Sequence, residues 1–290
     1  MPLHASMRVM TATAAALGAL ALGLTAPASH ATTPLDYVAL GDSYSAGSGV
    51  LPVDTGALLC LRSTANYPHV IADRTGARLT DVTCGAAQTA HFTRGQYPGV
   101  APQADALGPA TDLVTMTIGG NDDNTFIGAM LACGTAGILS GGKGSPCQDK
   151  HGSSFDDRIE ANTYPALKAA LATVRSKAPH ARVAILGYPW ILPATADPAC
   201  FAKMPIAPGD VPYLRGIQAH LNSAVERAAE DTGATYVDLS QASEGHDACR
   251  PGGTRWIEPL LFGTSVVPVH PNALGERRMA ERAMTTLGLD

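Results

Sequence analysis

Three serines, Ser43, Ser45 and Ser48, crowd the stretch YVALGDSYSAGSG at residues 37–49, directly after a short apolar run. A serine hydroxyl attacks an acyl carbonyl when a base removes its proton and hydrogen-bond donors receive the oxyanion that forms. Donor-rich turns recur at three apparent strand ends: LGDSYSAG, CGAAQT and IGGNDD. Each sets glycine beside a hydrogen-bonding group, so backbone N–H groups and the Asn121 amide can converge. A base is available in PVHPNALGERRMAERA, where His270 stands just before a helix that Asn272 can cap. Locally the serine stretch also reads as a solvated loop after a strand, and its pattern alone leaves both readings open.

Such groups need a scaffold that brings distant segments to one edge. DYVAL, LTDVTC, DLVTMTIG, ARVAILGYP and ATYVDL read as strands, and residues 65–75, 156–178, 211–232 and 272–287 as helices. Alternating strands and helices predict an α/β fold with a parallel sheet covered on both faces, whose working surface lies at the carboxyl ends of the strands. Residues 133–153, rich in Gly and Ser, and 189–212, rich in Pro and Ala, read as long surface excursions.

The N-terminus carries Arg8, an Ala-, Leu- and Gly-rich apolar run and small residues at Ser29 and Ala31, the layout of a signal peptide cleaved after Ala31. A membrane anchor fits less well, because the run is short. Removing that segment takes the formal charge from −5 to −6, since Arg8 is its only Lys, Arg, Asp or Glu. The remaining residues 32–290 read as one domain with no basic tract for nucleic acid. All six cysteines follow the expected cleavage point, which predicts three disulfides in an exported chain. Sequential pairing, Cys60–Cys84, Cys133–Cys147 and Cys200–Cys249, would close one excursion each. There is no CxxC spacing to suggest zinc. GILSGGKG falls short of a phosphate-binding loop because Gly144 replaces the Ser or Thr that would hold a metal, and no serine lies in a GxSxG elbow. No metal or organic cofactor is expected.

Taken in order, GDSYSAG, the glycine of CGAAQT, the asparagine of GGND and the histidine of HPNALG resemble the four blocks of the GDSL/SGNH hydrolase superfamily. RSTANYP, TDLVTMTIGGND, GYP, GHDAC and HPN extend the similarity to the secreted, disulfide-bonded esterases and lipases of actinomycetes. The resemblance implies a three-layer α/β/α, flavodoxin-like fold and an acyl-enzyme mechanism. Ser43 would be the nucleophile and His270 the general base. The backbone N–H groups of Ser43 and Gly85 and the side chain of Asn121 would form the oxyanion hole. One departure stands out: the aspartate most members place three residues before the histidine is Val267 here. Its backbone carbonyl is expected to orient His270 in a Ser-His dyad; the rival is a distant acid, Asp247 or Glu258.

These readings make the chain a secreted, monomeric carboxylic ester hydrolase, acting most plausibly on acyl lipids. Polysaccharide O-deacetylation is the alternative within enzymes, and an inactive surface-binding relative the alternative outside them.

Overall fold

In a computed structural model the described residues are 1–4 and 33–290. The expected cleavage point after Ala31, and nearly all of the leader, lie outside them. Residues Pro34–Asp290 form one compact unit.

β1 (Asp36–Ala39), β3 (Leu113–Met116), β4 (Arg182–Leu186) and β5 (Thr235–Val237) fall within four of the apolar runs, β2 (Arg78–Asp81) begins one residue before the fifth, and all pair in parallel in the order β2-β1-β3-β4-β5. This is the flavodoxin-like order, in which the direction of winding reverses between β1 and β3 and opens a crevice at their carboxyl ends.

Alternation along β1 shows how the layers close. Tyr37 and Ala39 join Leu113, Ala184 and Val237 against helices α2 (Tyr67–Thr75) and α9 (Ala273–Leu287). Val38 and Leu40 face the other way, with Val114, Met116 and Ile185, toward α6 (Tyr164–Lys177) and the C-terminal part of α7 (Val211–Thr232). Both faces of the sheet are thereby buried, as its continuous apolar strands require.

The remaining helices are α1 (Ser43–Ala46), α3 (Phe126–Leu139), α4 (Pro146–His151), α5 (Ser154–Arg158) and α8 (Ser240–Ser243). Two of these correct the sequence reading: the supposed excursion at 133–153 begins inside α3 and contains α4. Glycine made α3 look like loop, yet at Gly137 it has a packing reason, since a Cβ there would sit 2.2 Å from the Pro205 carbonyl. The segment 189–212 is irregular as expected, with short 3₁₀ turns at Pro198–Ala202 and Pro208–Asp210 before α7 begins. No described helix is long and apolar enough to cross a membrane.

All three disulfides pair sequentially: Cys60–Cys84, Cys133–Cys147 and Cys200–Cys249. The second ties α3 to α4.

Candidate active site

The register of β1 and β3 continues past the strands and fixes the serine turn. Leu40 and Asp42 donate backbone N–H groups to the Thr115 and Thr117 carbonyls at 3.0 and 2.9 Å. Gly41 between them has φ +122°, and a Cβ there would lie 2.4 Å from the Thr117 carbonyl oxygen, so only glycine fits. Gln103 clamps the same residue, accepting its N–H at 2.6 Å and donating to its carbonyl at 2.9 Å. Asp42 then caps α1 by accepting the Tyr44 N–H, and also accepts from Thr117 Oγ1 at 2.7 Å and the Tyr188 hydroxyl at 2.5 Å. Burial pushes the Asp42 carboxyl up to about 6 despite these donors. Asp42 thus braces the turn.

Ser43 is the first residue of α1, and its N–H has no acceptor among the described residues. Ser45 is fully buried and bonded to Thr117 and Tyr67, which removes it as a nucleophile. Ser48 is buried with its hydroxyl unpaired.

His270 meets Ser43 from an irregular loop. The Ser43 hydroxyl donates to Nε2 at 2.7 Å, while Nδ1 lies 2.8 Å from the Pro268 carbonyl oxygen. A carbonyl only accepts, so Nδ1 carries the proton and Nε2 presents its lone pair to the serine. Burial lowers the His270 pKa, opposed by the bond to Pro268. The orienting carbonyl is therefore that of Pro268, not Val267. The reason is Val269, whose φ of +61° reverses the chain and brings the carbonyl two residues upstream onto the ring. Left-handed backbone is costly for a β-branched residue, and the surroundings hold it. Val269 donates its N–H to the Glu258 carbonyl at 2.9 Å, Glu258 donates its own to the His270 carbonyl at 2.9 Å, and the Tyr44 hydroxyl donates to the Val269 carbonyl at 2.8 Å.

Neither candidate acid reaches the imidazole. Glu258 accepts from Arg255, Asn272 and the Thr264 N–H; burial works to raise its carboxyl, yet these partners bring it down to about 2. Asp247 accepts from the Cys249 N–H and Arg250. His246 stacks on Trp256 with centroids 4.9 Å apart and lies 2.6 Å from the Thr254 carbonyl oxygen through Nδ1, a structural arrangement. Asn272 caps α9 as expected, accepting the Leu274 and Gly275 N–H groups.

The second donor turn also needs correction. Gly85 donates its N–H to the Cys60 carbonyl at 2.8 Å, so that donor is already used. The next residue, Ala86, is exposed, has φ +61°, and has an N–H with no acceptor among the described residues. Cys84 donates to the Gly41 carbonyl, which continues the β1–β2 pairing and brings this turn alongside Ser43, and the Cys60–Cys84 bond closes it. Asn121 arrives from the end of β3. One hydrogen of its amide goes to the Ala87 carbonyl at 3.1 Å, which leaves the second for the pocket that Asn121 lines. That pocket joins Ser43 and His270 to Phe126, Ile127, Met130 and Ile191.

A serine hydrogen-bonded to an oriented neutral imidazole, at the switch point of a flavodoxin-like sheet, defines a serine hydrolase of the three-layer α/β/α class. The chain belongs to the GDSL-like lipase/acylhydrolase family, whose pattern matches residues 39–278, and it is a carboxylic ester hydrolase. It is 77% identical to "Lipase 2" of Streptomyces coelicolor over an alignment of 295 residues covering 100% of each chain, and 31% identical to a "Lipase" of Streptomyces rimosus, covering 94% of this chain and 93% of that one. Among solved structures it is similar to phospholipase A1 from Streptomyces albidoflavus, with a TM-score of 0.73, 28% identity and coverage of 88% of this chain and 100% of that one. It is also similar to the extracellular lipase from S. rimosus, with a TM-score of 0.71, 27% identity and coverage of 87% and 99%.

Proposed function

We propose that the chain is an exported, monomeric lipase in which Ser43 attacks the ester carbonyl of an acyl lipid. The observation that carries this reading is the 2.7 Å bond from Ser43 to an imidazole whose other nitrogen is tied to a backbone carbonyl.

His270 Nε2 takes the serine proton as the hydroxyl oxygen bonds to the carbonyl carbon, and the tetrahedral oxyanion is received by the N–H groups of Ser43 and Ala86 and by the Asn121 amide. The imidazolium then returns the proton to the departing alcohol, leaving an acyl-enzyme. Water, deprotonated by the same nitrogen, releases the fatty acid and restores Ser43. The Pro268 carbonyl dipole faces the imidazolium that forms in both halves of the reaction, where relatives with the usual triad place a carboxylate. In a site shielded from water such a dipole acts more strongly than it would in solution.

Lipid is favoured over polysaccharide by the pocket beside Ser43, whose walls at Phe126, Ile127, Met130 and Ile191 are apolar and suit an acyl chain. Export is supported by the three disulfides and the leader-like N-terminus, and a monomer by a dyad and donor set drawn from one chain.

Hydrolysis of p-nitrophenyl esters of graded acyl length tests the reading, together with mass-spectrometric mapping of an organophosphonate adduct. Preference for medium or long chains with the adduct on Ser43 is expected. Activity confined to acetate would favour the deacetylase, and labelling at another serine would remove the assignment.

A further inference from the structure

α3 contains no charged residue anywhere in its 14 positions, an unusual composition for a helix with a solvent-facing side. Its outward residues other than Thr135 are apolar: Leu131, Ile138 and Leu139 are 63, 62 and 83% exposed, and the Thr135 hydroxyl is turned back to the Leu131 carbonyl. With Ile127 and Thr135 they fall at i, i+4, i+8 and i+11/i+12, a single stripe running about 18 Å along the helix at 1.5 Å per residue. Ile127 at its start lines the catalytic pocket, while Leu131 and Leu139 line a separate surface groove with Ala132, Ala136 and Lys150. The stripe is thus continuous with the mouth of the pocket.

Charge selects the occupant. The groove's ionisable lining residues are Lys150 and His151, and no carboxylate lines it. Lys150 is exposed and has no ion pair among the described residues, and its exposed chain neighbour Asp149 does not line the groove. The positive charge of Lys150 at this edge opposes the net acidic charge of the chain. An apolar helical stripe with a lysine at its border is an arrangement by which helices lie in the interface of an anionic lipid layer. Being helical, it offers no free backbone groups to pair with an extended peptide. The Cys133–Cys147 bond holds the stripe and the Lys150-bearing helix together as one surface.

We propose that the outer face of α3, with Lys150 at its edge, docks on the surface of anionic lipid aggregates and sets the pocket mouth against them. This rests on the lipase reading above and adds the surface that the enzyme recognises.

The test uses the mature chain carrying Ser43→Ala, which binds vesicles without degrading them. It should co-sediment with vesicles containing phosphatidylglycerol more strongly than with pure phosphatidylcholine. Adding Leu131→Gln, Ile138→Gln and Leu139→Gln, helix-compatible changes at exposed positions, should weaken association with both vesicle types by about tenfold or more. Lys150→Glu alone should weaken association only with the anionic vesicles. In the active chain both sets of changes should leave hydrolysis of soluble p-nitrophenyl acetate within about twofold. Vesicle binding unaffected by the glutamines would overturn the docking surface. So would a dimer that the glutamines dissociate and that binds no vesicles, because a second copy would then cover the face. Failure of the parent chain to hydrolyse any ester would instead remove the underlying lipase reading.

Discussion

The two halves of the dyad are held in opposite ways. Ser43 sits at the end of regular structure: parallel pairing of β1 with β3 runs on through Leu40 and Asp42, and Gly41, Gln103 and Thr117 leave the turn one conformation. His270 sits on an irregular loop in which a β-branched residue adopts a left-handed φ and a proline carbonyl does the orienting. The proposed nucleophile is placed by the sheet and the proposed base by a set of single hydrogen bonds. The base side is therefore the half that small chemical changes should disturb.

The largest effect expected is on the side placed by the sheet. Ser43→Ala should lower kcat for p-nitrophenyl esters by about 10⁴-fold or more, as loss of a serine nucleophile does elsewhere, with the thermal melt little changed because the only side-chain bond lost is the part-buried one to His270. Residual activity near the parent level would break the comparison at its first member. Asn121→Ala should follow at about 10²–10³-fold in kcat, the usual cost of one oxyanion donor. A change confined to KM would show that Asn121 binds substrate rather than the oxyanion.

Tyr44→Phe probes the loop side directly, since it removes only the hydroxyl that holds the Val269 carbonyl. At about 1–1.5 kcal/mol for a lost hydrogen bond, kcat should fall roughly tenfold at nearly constant KM. No change would mean that the Glu258 contacts suffice to fix the base. The smallest effect is a displacement of the pH profile. Because burial lowers the His270 pKa, the imidazole becomes a free base at lower pH than usual, so kcat/KM should rise along a limb whose midpoint lies below the ordinary histidine value of about 6.5. Asp42 also titrates near 6; Asp42→Asn should leave the limb in place. Its disappearance in that variant would transfer the titration to the serine turn.

The same contrast governs what could be read from the residues. Five apolar runs of strand composition, separated by helical segments, carry the sheet, and the glycine before Asp42 marks the turn that sets Ser43 in the pocket, because those features are local. Pairing of each cysteine with its sequence neighbour is also local, although Cys133–Cys147 joins two helices rather than closing a loop excursion. Which carbonyl reaches Nδ1 depends on the φ of Val269, and valine is among the last residues from which a left-handed conformation would be inferred. A proline two residues before His270 was the visible but insufficient signal. The donor turn misleads in a different way: Gly85 is the glycine written there, while the free N–H belongs to Ala86, and only the bond to the Cys60 carbonyl separates them. α3 was obscured because its glycines, which serve close packing at Gly137, are helix breakers in a local reading.

The Cys60–Cys84 bond acquires a further meaning from this arrangement. It lies just beyond β2, where the Cys84 N–H extends the β1–β2 pairing, and it closes the turn that carries the Ala86 N–H. On the proposed donor set, opening this bond should loosen the turn that carries the Ala86 N–H while the Ser43–His270 hydrogen bond stays in place, so a Cys60→Ser, Cys84→Ser variant should lower kcat more than it raises KM.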